Sequence, residues 1–411
     1  MTRRALITPA LVTVGRSAPP LRGSSLRSIE VLRPGAMAWD DGVIKYVGPE
    51  GGLAEAGWGD AAVSRVHGAV TPGFVDCHTH VPFFGWRADE FEARLAGKSY
   101  RDLHGGGGIF RSARLLAAAS DEEVIEFCRG LAVEMLSHGT TSFELKTGYG
   151  LTVEAELRQA RLARRLAALI PQAAPVTLLA CHAVPEGRSR EEWVDEVCTT
   201  LIPAAVAEGL VEAVDIYVED IAFTGEDLTR VAQAARSHGL SLRVHADQLG
   251  PSRASEAAVA VGARSADHLN NVGAAGVASL AAGPTVAVLL PVSTLVLRAA
   301  PPPVDQLLEA GAAVALATDF NPGTSPCLSM PEVIAVAASL YRLPTLTAIA
   351  AATLNSAWVL GLHDDRGSLE VGKRADFLVL DDPEPAMVPY RPGHNSVAET
   401  WIGGRRLYSR T

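Results

Sequence analysis

The chain has 411 residues, is 48% hydrophobic and carries a formal net charge of −10. That is ample for a large core, and at this length one big barrel plus an accessory domain, or two domains, is expected. The acidic balance, with no basic cluster beyond an ordinary solvated face, argues against nucleic acid and anionic membranes as partners.

In chain order, the early pair Arg3-Arg4 is followed by Pro9 and Gly15 rather than an unbroken apolar segment. Neither a signal peptide nor a transmembrane span is predicted, and a cytoplasmic location is expected. Residues 1–68 hold short alternating runs, Gly42 to Val47 among them, and predict strands of a small β unit. From Pro72 onward, eight apolar, β-branched runs near 72–78, 140–146, 176–182, 212–219, 240–246, 263–268, 285–291 and 312–319 alternate with helix-forming stretches such as Glu154 to Leu169 and Glu191 to Ala207. His138-Gly139 and His238-Gly239 mark helix ends, because glycine is favoured just past a C-terminus. Apolar strands alternating with helices imply a parallel sheet covered on both faces. Eight units suit a (β/α)8 TIM barrel over residues 69–362. An open doubly wound sheet would usually show a Gly-rich phosphate turn after its first strand, where this chain has two histidines. Gly105 to Gly108 lack the Gly-Lys-Ser/Thr ending of a phosphate loop and predict a flexible loop near the pocket mouth. Pro301-Pro302-Pro303 predicts a stiff loop before a helix. Beyond residue 363, Gly367 to Lys373 and Ala375 to Leu380 predict strands and hairpins. The terminal segments 1–68 and 363–411 are expected to meet as a small composite β-sandwich domain, since domain termini often lie close together. The five cysteines are odd in number, scattered and without a Cys-x-x-Cys pair, which fits reduced, buried thiols.

Chemistry in such a barrel sits at the C-terminal ends of the strands. The first strand ends in His78-Thr79-His80, and residues two apart on a strand face the same way, so both imidazoles can reach one metal ion. The second ends in Glu144-Leu145-Lys146, the third in His182, the fifth in His245, the sixth in His268 and the eighth in Asp319. Only 11 histidines occur in the chain, and His78, His80, His182, His245 and His268 all fall at these points. Singly, each has an ordinary reading: a core histidine for His182 or His245, a helix start for His268, a turn or N-cap aspartate for Asp319. Together they predict a catalytic metal held by His78, His80, His245 and Asp319, with an open position for water. The metal acidifies that water, Asp319 accepts its proton, and His268 orients or deprotonates it. His182 is expected to donate to the substrate oxygen that becomes negative. Lys146 is either a metal-bridging carboxylated lysine or a cation paired with Glu144 or Asp319; a single cluster with one aspartate favours one metal.

Pro72-Gly73-Phe74-Val75-Asp76-Cys77-His78-Thr79-His80 resembles the first-strand signature of the amidohydrolase superfamily. Longer stretches are narrower: Arg87 to Glu92 with Leu95 to Tyr100, Lys146 to Leu151, His182-Ala183-Val184-Pro185, His245-Ala246-Asp247-Gln248, and Ala317 to Ser325. Together they resemble the imidazolonepropionase family, over nearly the whole chain. The resemblance implies metal-dependent hydrolysis of the ring amide of 4-imidazolone-5-propanoate to N-formimidoyl-glutamate, a step of histidine breakdown, with one zinc or iron ion, divalent or trivalent. It implies metal ligands at His78, His80, His245 and Asp319, and substrate contacts at Arg87, Tyr149, His182, Gln248, Asn321, Gly323 and Thr324. An arginine fork suits the propanoate carboxylate, the alternative for Arg87 being an ion pair with Asp89 or Glu90, and the Tyr149 hydroxyl can hold the same group unless the ring is only a packed loop aromatic. Gln248 stands where some members have glutamate; an amide is no base, so proton transfer falls to Asp319 and His268. Leu290-Pro291-Val292-Ser293-Thr294 lacks the glycine and aromatic residues of the family's loop and marks one pocket wall as different. A small-molecule substrate and a homodimer are the expected partners. The competing readings are a metal-dependent deaminase or another cyclic-amide hydrolase acting on a related heterocycle, and a metal-free scaffold that lost catalysis.

Overall fold

A computed structural model describes residues 3–15, 17–98 and 107–410. The predicted strands form in chain order. They are β1 (Phe74–Asp76), β2 (Thr140–Phe143, continued by Leu145–Lys146), β3 (Val176–Cys181), β4 (Ala213–Val218), β5 (Ser241–Ala246), β6 (Ser265–His268), β7 (Val286–Leu289) and β8 (Val314–Leu316). From Leu145–Lys146 to β8 they make a seven-stranded parallel sheet in sequential order, and β1 pairs in parallel with Thr140–Phe143. Beyond β1 and β8 the curl closes: Thr79 bridges Phe320, and the His80 N–H donates to the Phe320 carbonyl at 2.9 Å. The result is an α/β barrel. Every residue of β3 and β4 is buried, as expected for strands packed on both faces.

The helices between them start where the sequence provides caps. Ser120 with Glu123, Ser189 with Glu192 and Thr224 with Asp227 each form a reciprocal capping box, satisfying amide groups that the first helical turn leaves bare. The helices Asp121–Ser137 and Gly225–Ser237 end at His138 and His238, and the following Gly139 and Gly239 take φ of +87° and +71°. The run Glu191 to Ala207 is less regular than predicted. It divides into Arg190–Glu196, a π turn Val197–Leu201, and Ile202–Ala207, because Pro203 has no N–H to continue the ladder.

The terminal segments supply two further sheets. One has four strands, in the order Val43–Pro49, Gly35–Asp40, Arg4–Thr8, Ala62–Arg65. The other has six, in the order Arg405–Ser409, Val397–Ile402, Phe377–Leu380, Val70–Pro72, Leu11–Val12, Val31–Leu32. Phe377–Leu380 runs antiparallel to Val70–Pro72, which lies inside the range expected for the barrel, and the terminal segments themselves touch where Val43 bridges Arg374 and the Ile44 N–H donates to the Lys373 carbonyl at 2.8 Å. Trp39, Phe377 and Trp401 pack together at ring-centroid distances of 5.1–5.8 Å over Leu6, Met37 and Ile44. The strand predicted over Gly367 to Lys373 does not form. Gly367 and Gly372 take φ of +84° and +97°, a left-handed geometry that turns the chain rather than extending it. The predicted loop before residue 304 is as expected, leading into the helix Val304–Ala310. Of the predicted flexible loop, Gly105 and Gly106 lie outside the described residues, as do Ser99 and Tyr100 of the motif above, while Gly108 opens the helix Gly108–Ala118. No helix among the described residues is long and apolar enough to cross a membrane.

Candidate active site and metal centre

The strand-end residues converge. The His78, His80 and Asp319 ligand atoms lie within 4.8 Å of one another, and so do those of His78, His245 and His268. Asp319 Oδ1 is 3.6 Å from His78 Nε2 and 3.3 Å from His80 Nε2. Backbone strain accompanies the cluster: Asp319 and His268 take φ of +56° and +81°, an uncommon region for residues with a side chain.

Beneath the imidazoles lies a buried charge network. Asp267 Oδ2 is 2.6 Å from His78 Nδ1, and Asp215 is 3.1 Å from His245 Nδ1. A carboxylate accepts, so each Nδ1 carries the proton and each Nε2 presents a lone pair toward the centre. Lys146 is fully buried and ion-paired with Asp215, and lies 3.2 Å from Glu144; Arg243 pairs with Glu144 in turn. Lys146 is therefore a structural cation under the site, paired with the expected Glu144 and with Asp215, which was not expected, rather than with Asp319. Burial alone would raise Asp215, but His245 and Lys146 outweigh it and hold its carboxyl well below the usual range. Asp267 is pushed up to about 6, chiefly by burial. Burial and the neighbouring Lys146 keep His78 and His80 neutral, and burial brings His268 down to about 3.

Above this network the polar atoms change character. His78 Nε2, His245 Nε2 and Asp319 Oδ2 are buried without a hydrogen-bond partner. Dry interiors rarely leave such atoms bare. Two lone-pair nitrogens and an anionic oxygen in two adjoining triads that share His78 are donors suited to a cation, and His80 Nε2 faces the same carboxylate.

A small cavity of about 30 Å³ opens over the cluster. His80, His245, His268 and Asp319 form its base, and Arg87, Tyr149, His182, Gln248, Asn321 and Thr324 line its walls. Arg87 is 4% exposed, with Glu90 at 3.6 Å, and its Nε and Nη1 have no hydrogen-bond partner. Gly323 does not line the cavity but makes room for Arg87: a Cβ there would fall 1.6 Å from Arg87 Nη2. Asn321 uses its amide on its own loop. Its Oδ1 accepts from the N–H groups of Gly323 and Thr324, and its Nδ2 donates to the Asp319 carbonyl. His182 Nδ1 is 3.0 Å from the Gly148 carbonyl. A carbonyl only accepts, so Nδ1 holds the proton, and in this neutral ring, kept so mainly by burial, Nε2 is an acceptor. The predicted donor role of His182 toward an oxyanion therefore does not fit its tautomer.

Tyr217 and Ile109 also line the cavity and were not anticipated. Tyr217 stands next to the end of β4, which like β7 carries none of the predicted strand-end groups. Asp215 and Asp267 were likewise missed; as single aspartates inside apolar strands they carried a usable signal, since a buried carboxylate needs a partner. The divergent segment at Leu290 to Thr294 forms no wall of this cavity among the described residues. It starts the helix Pro291–Leu297, where Thr294 Oγ1 bonds Asn270 and Tyr341. A wider hollow on the far side of Tyr149 is lined by Arg158, Arg161 and Arg165, each already paired with an acidic side chain.

Comparison with known proteins places this geometry. Residues 69–407 match the model of the Amidohydrolase family. The chain belongs to the amidohydrolase family. It is 41% identical over 380 residues to the imidazolonepropionase of Stenotrophomonas maltophilia (strain R551-3), covering 91% of this chain and 92% of that protein. It is 42% identical over 393 residues to the imidazolonepropionase of Rubrobacter xylanophilus, covering 94% of each. An adenosine deaminase from Xanthomonas campestris, solved with bound zinc, shares the fold at a TM-score of 0.67 and 20% identity, covering 98% of this chain and 92% of that one.

Proposed function

We propose that this amidohydrolase is a cyclic-amide hydrolase that opens the ring of 4-imidazolone-5-propanoate at its amide C–N bond, giving N-formimidoyl-glutamate, the imidazolonepropionase reaction of histidine breakdown. The observation that carries the substrate assignment is Arg87. It is a buried guanidinium whose Nε and Nη1 make no hydrogen bond, with Glu90 at 3.6 Å, on the wall of a cavity whose base is a metal-ligand cluster. Unsatisfied guanidinium donors in a buried wall keep hydrogen-bonding capacity for a ligand anion, and the substrate's propanoate supplies that anion.

His78, His80, His245 and Asp319 would hold one metal ion, zinc or iron. When bound, such an ion acidifies a water molecule at neutral pH. The chain's own groups do the rest. Arg87 and Tyr149 grip the carboxylate and set the ring over the cluster. Asp319, through Oδ2, takes the proton of the attacking water and passes it to the departing ring nitrogen. His268, neutral at working pH, orients the water. His182 accepts a hydrogen bond from a substrate N–H through Nε2, and Gln248 holds the ring through its amide. Asn321 shapes the 319–324 loop, bringing Thr324 to the cavity wall and leaving Gly323 clear of Arg87. In the same reading residues 69–362 are the catalytic barrel, the two terminal sheets are one composite β-sandwich domain, and the protein is a homodimer.

Loss of the imidazolone ultraviolet absorbance on adding metal-loaded protein tests the function. Ring opening without ammonia is expected; ammonia release would assign a deaminase instead.

A further inference from the structure

We propose that Glu219 and Asn271 are positioning residues that grip the Gln248 peptide from two sides and so hold its side-chain amide against the substrate ring. The proposal rests on the reading of Gln248 as a ring contact.

Glu219 is the first residue beyond β4, at the end of the barrel where the chemistry sits, and is 3% exposed. Its Oε1 accepts the N–H of Gln248 at 2.5 Å and that of Leu249 at 2.9 Å. A carboxylate taking two peptide donors makes the strong, charge-assisted kind of hydrogen bond. From the opposite side Asn271 Nδ2 donates to the Gln248 carbonyl at 2.8 Å, and the Asn271 N–H donates to the Asp247 carbonyl at 2.8 Å. The turn itself is fixed by Asp247. It takes φ of +51°, and its carboxylate accepts from Ser252 Oγ, Ala254 N and Ser255 N. The loop after β5 is thus tied to β4 through Glu219 and to the segment after β6 through Asn271. Of residues 247–249, Gln248 is the one that lines the cavity.

The second oxygen of Glu219 points to function rather than packing. Oε2 is buried without a hydrogen-bond partner, and burial pushes the carboxyl up to about 7. A position that needed only to fill space would not keep a half-satisfied carboxylate in a dry interior. What the carboxylate provides is the double acceptor under Gln248. Glutamine can bond a heterocycle only if its planar amide is held in register, and a loop residue has no such register unless its backbone is fixed.

The test compares metal-loaded wild type, Glu219→Ala, Glu219→Gln, Asn271→Ala and Gln248→Ala, with the Glu219→Ala/Gln248→Ala double variant. Glu219→Ala should lower kcat/KM for imidazolone propanoate by roughly tenfold, mostly through KM, with the metal content unchanged. Glu219→Gln keeps an acceptor oxygen and should recover most of that loss. With Gln248 already truncated, Glu219→Ala should cost less than about twofold more, because positioning has nothing left to position. Losses that multiply in the double variant would overturn the proposal. Amide hydrogen exchange gives a reading that does not need turnover: the peptide spanning 246–252 should exchange faster in Glu219→Ala and, if that variant does not fold, in Asn271→Ala, which lies at the surface. Unchanged exchange there overturns the clamp. A wild type that leaves the imidazolone intact overturns the proposed function instead, and exchange still decides the clamp.

Discussion

The floor of the site and its rim are built from the same residue types to opposite ends. On the floor, Lys146, Glu144, Asp215, Arg243 and Asp267 pair with one another and with the Nδ1 atoms of His78 and His245. At the rim, His78 Nε2, His245 Nε2, Asp319 Oδ2 and two nitrogens of Arg87 are equally dry and make no hydrogen bond; on the floor Glu144 Oε2, Arg243 Nε and Asp267 Oδ1 make none either, but each of those residues is tied to a floor partner through another atom. The difference teaches where charge is structural and where it is reserved. Paired ions below fix the direction of each imidazole, and in the proposed function the bare atoms above are what a metal and an anionic substrate would complete.

The sharpest way to break this contrast is at Asp319, proposed both to hold the metal and to move the proton. Asp319→Asn should cut kcat/KM by on the order of 10³–10⁴-fold and lower bound metal, read by steady-state kinetics beside elemental analysis. Next comes the rim cation. Arg87→Ala should lose about 10²–10³-fold in kcat/KM while retaining its metal. Arg87→Lys should recover little, since an ammonium lacks the planar fork. Gly323→Ala should mimic part of that defect at a distance, because its Cβ would stand 1.6 Å from Arg87 Nη2. A floor variant should behave differently: Asp267→Asn should weaken metal affinity by roughly 10–100-fold, measured by competition with a chelator, with KM little changed once the metal is saturating. The smallest effect is one of pH. The Glu219 carboxyl is pushed up from 4.5 to about 7, mainly by burial. The folded state therefore holds that proton more tightly than the unfolded state, and stability falls as pH rises from about 4.5 through 7. Glu219→Gln should remove this slope, so its Tm relative to wild type should rise between pH 5 and pH 8.

Much of this contrast was legible in the sequence, and unevenly. The eight barrel strands were readable because parallel strands buried on both faces are near-continuous apolar runs. The rim was readable because histidines at strand ends and an arginine just beyond the first of them are rare enough to stand out. The floor was not. Asp215 and Asp267 sit inside apolar strands and acquire meaning only when β4, β5 and β6 bring them against His245 and His78. Lys146 and its pairing with Glu144 were legible, but the further pairing with Asp215 depends on barrel curvature that no local pattern encodes. The tautomer of His182 depends on one carbonyl, Gly148, 34 residues earlier in the chain. The turns at Gly367 and Gly372 were missed because the flanking Leu369 and Val371 alternate like a strand, while the glycines set the backbone.

The central claim is that the bare atoms at the rim hold one cation and that this cation enables ring opening. Stripping the protein with a chelator and restoring a divalent metal in measured increments, with imidazolone propanoate turnover followed at each step, tests it directly. The account predicts no turnover without metal, then a linear rise that levels off at one equivalent per chain. Full turnover in the stripped protein, or a plateau reached only at two equivalents, would contradict it.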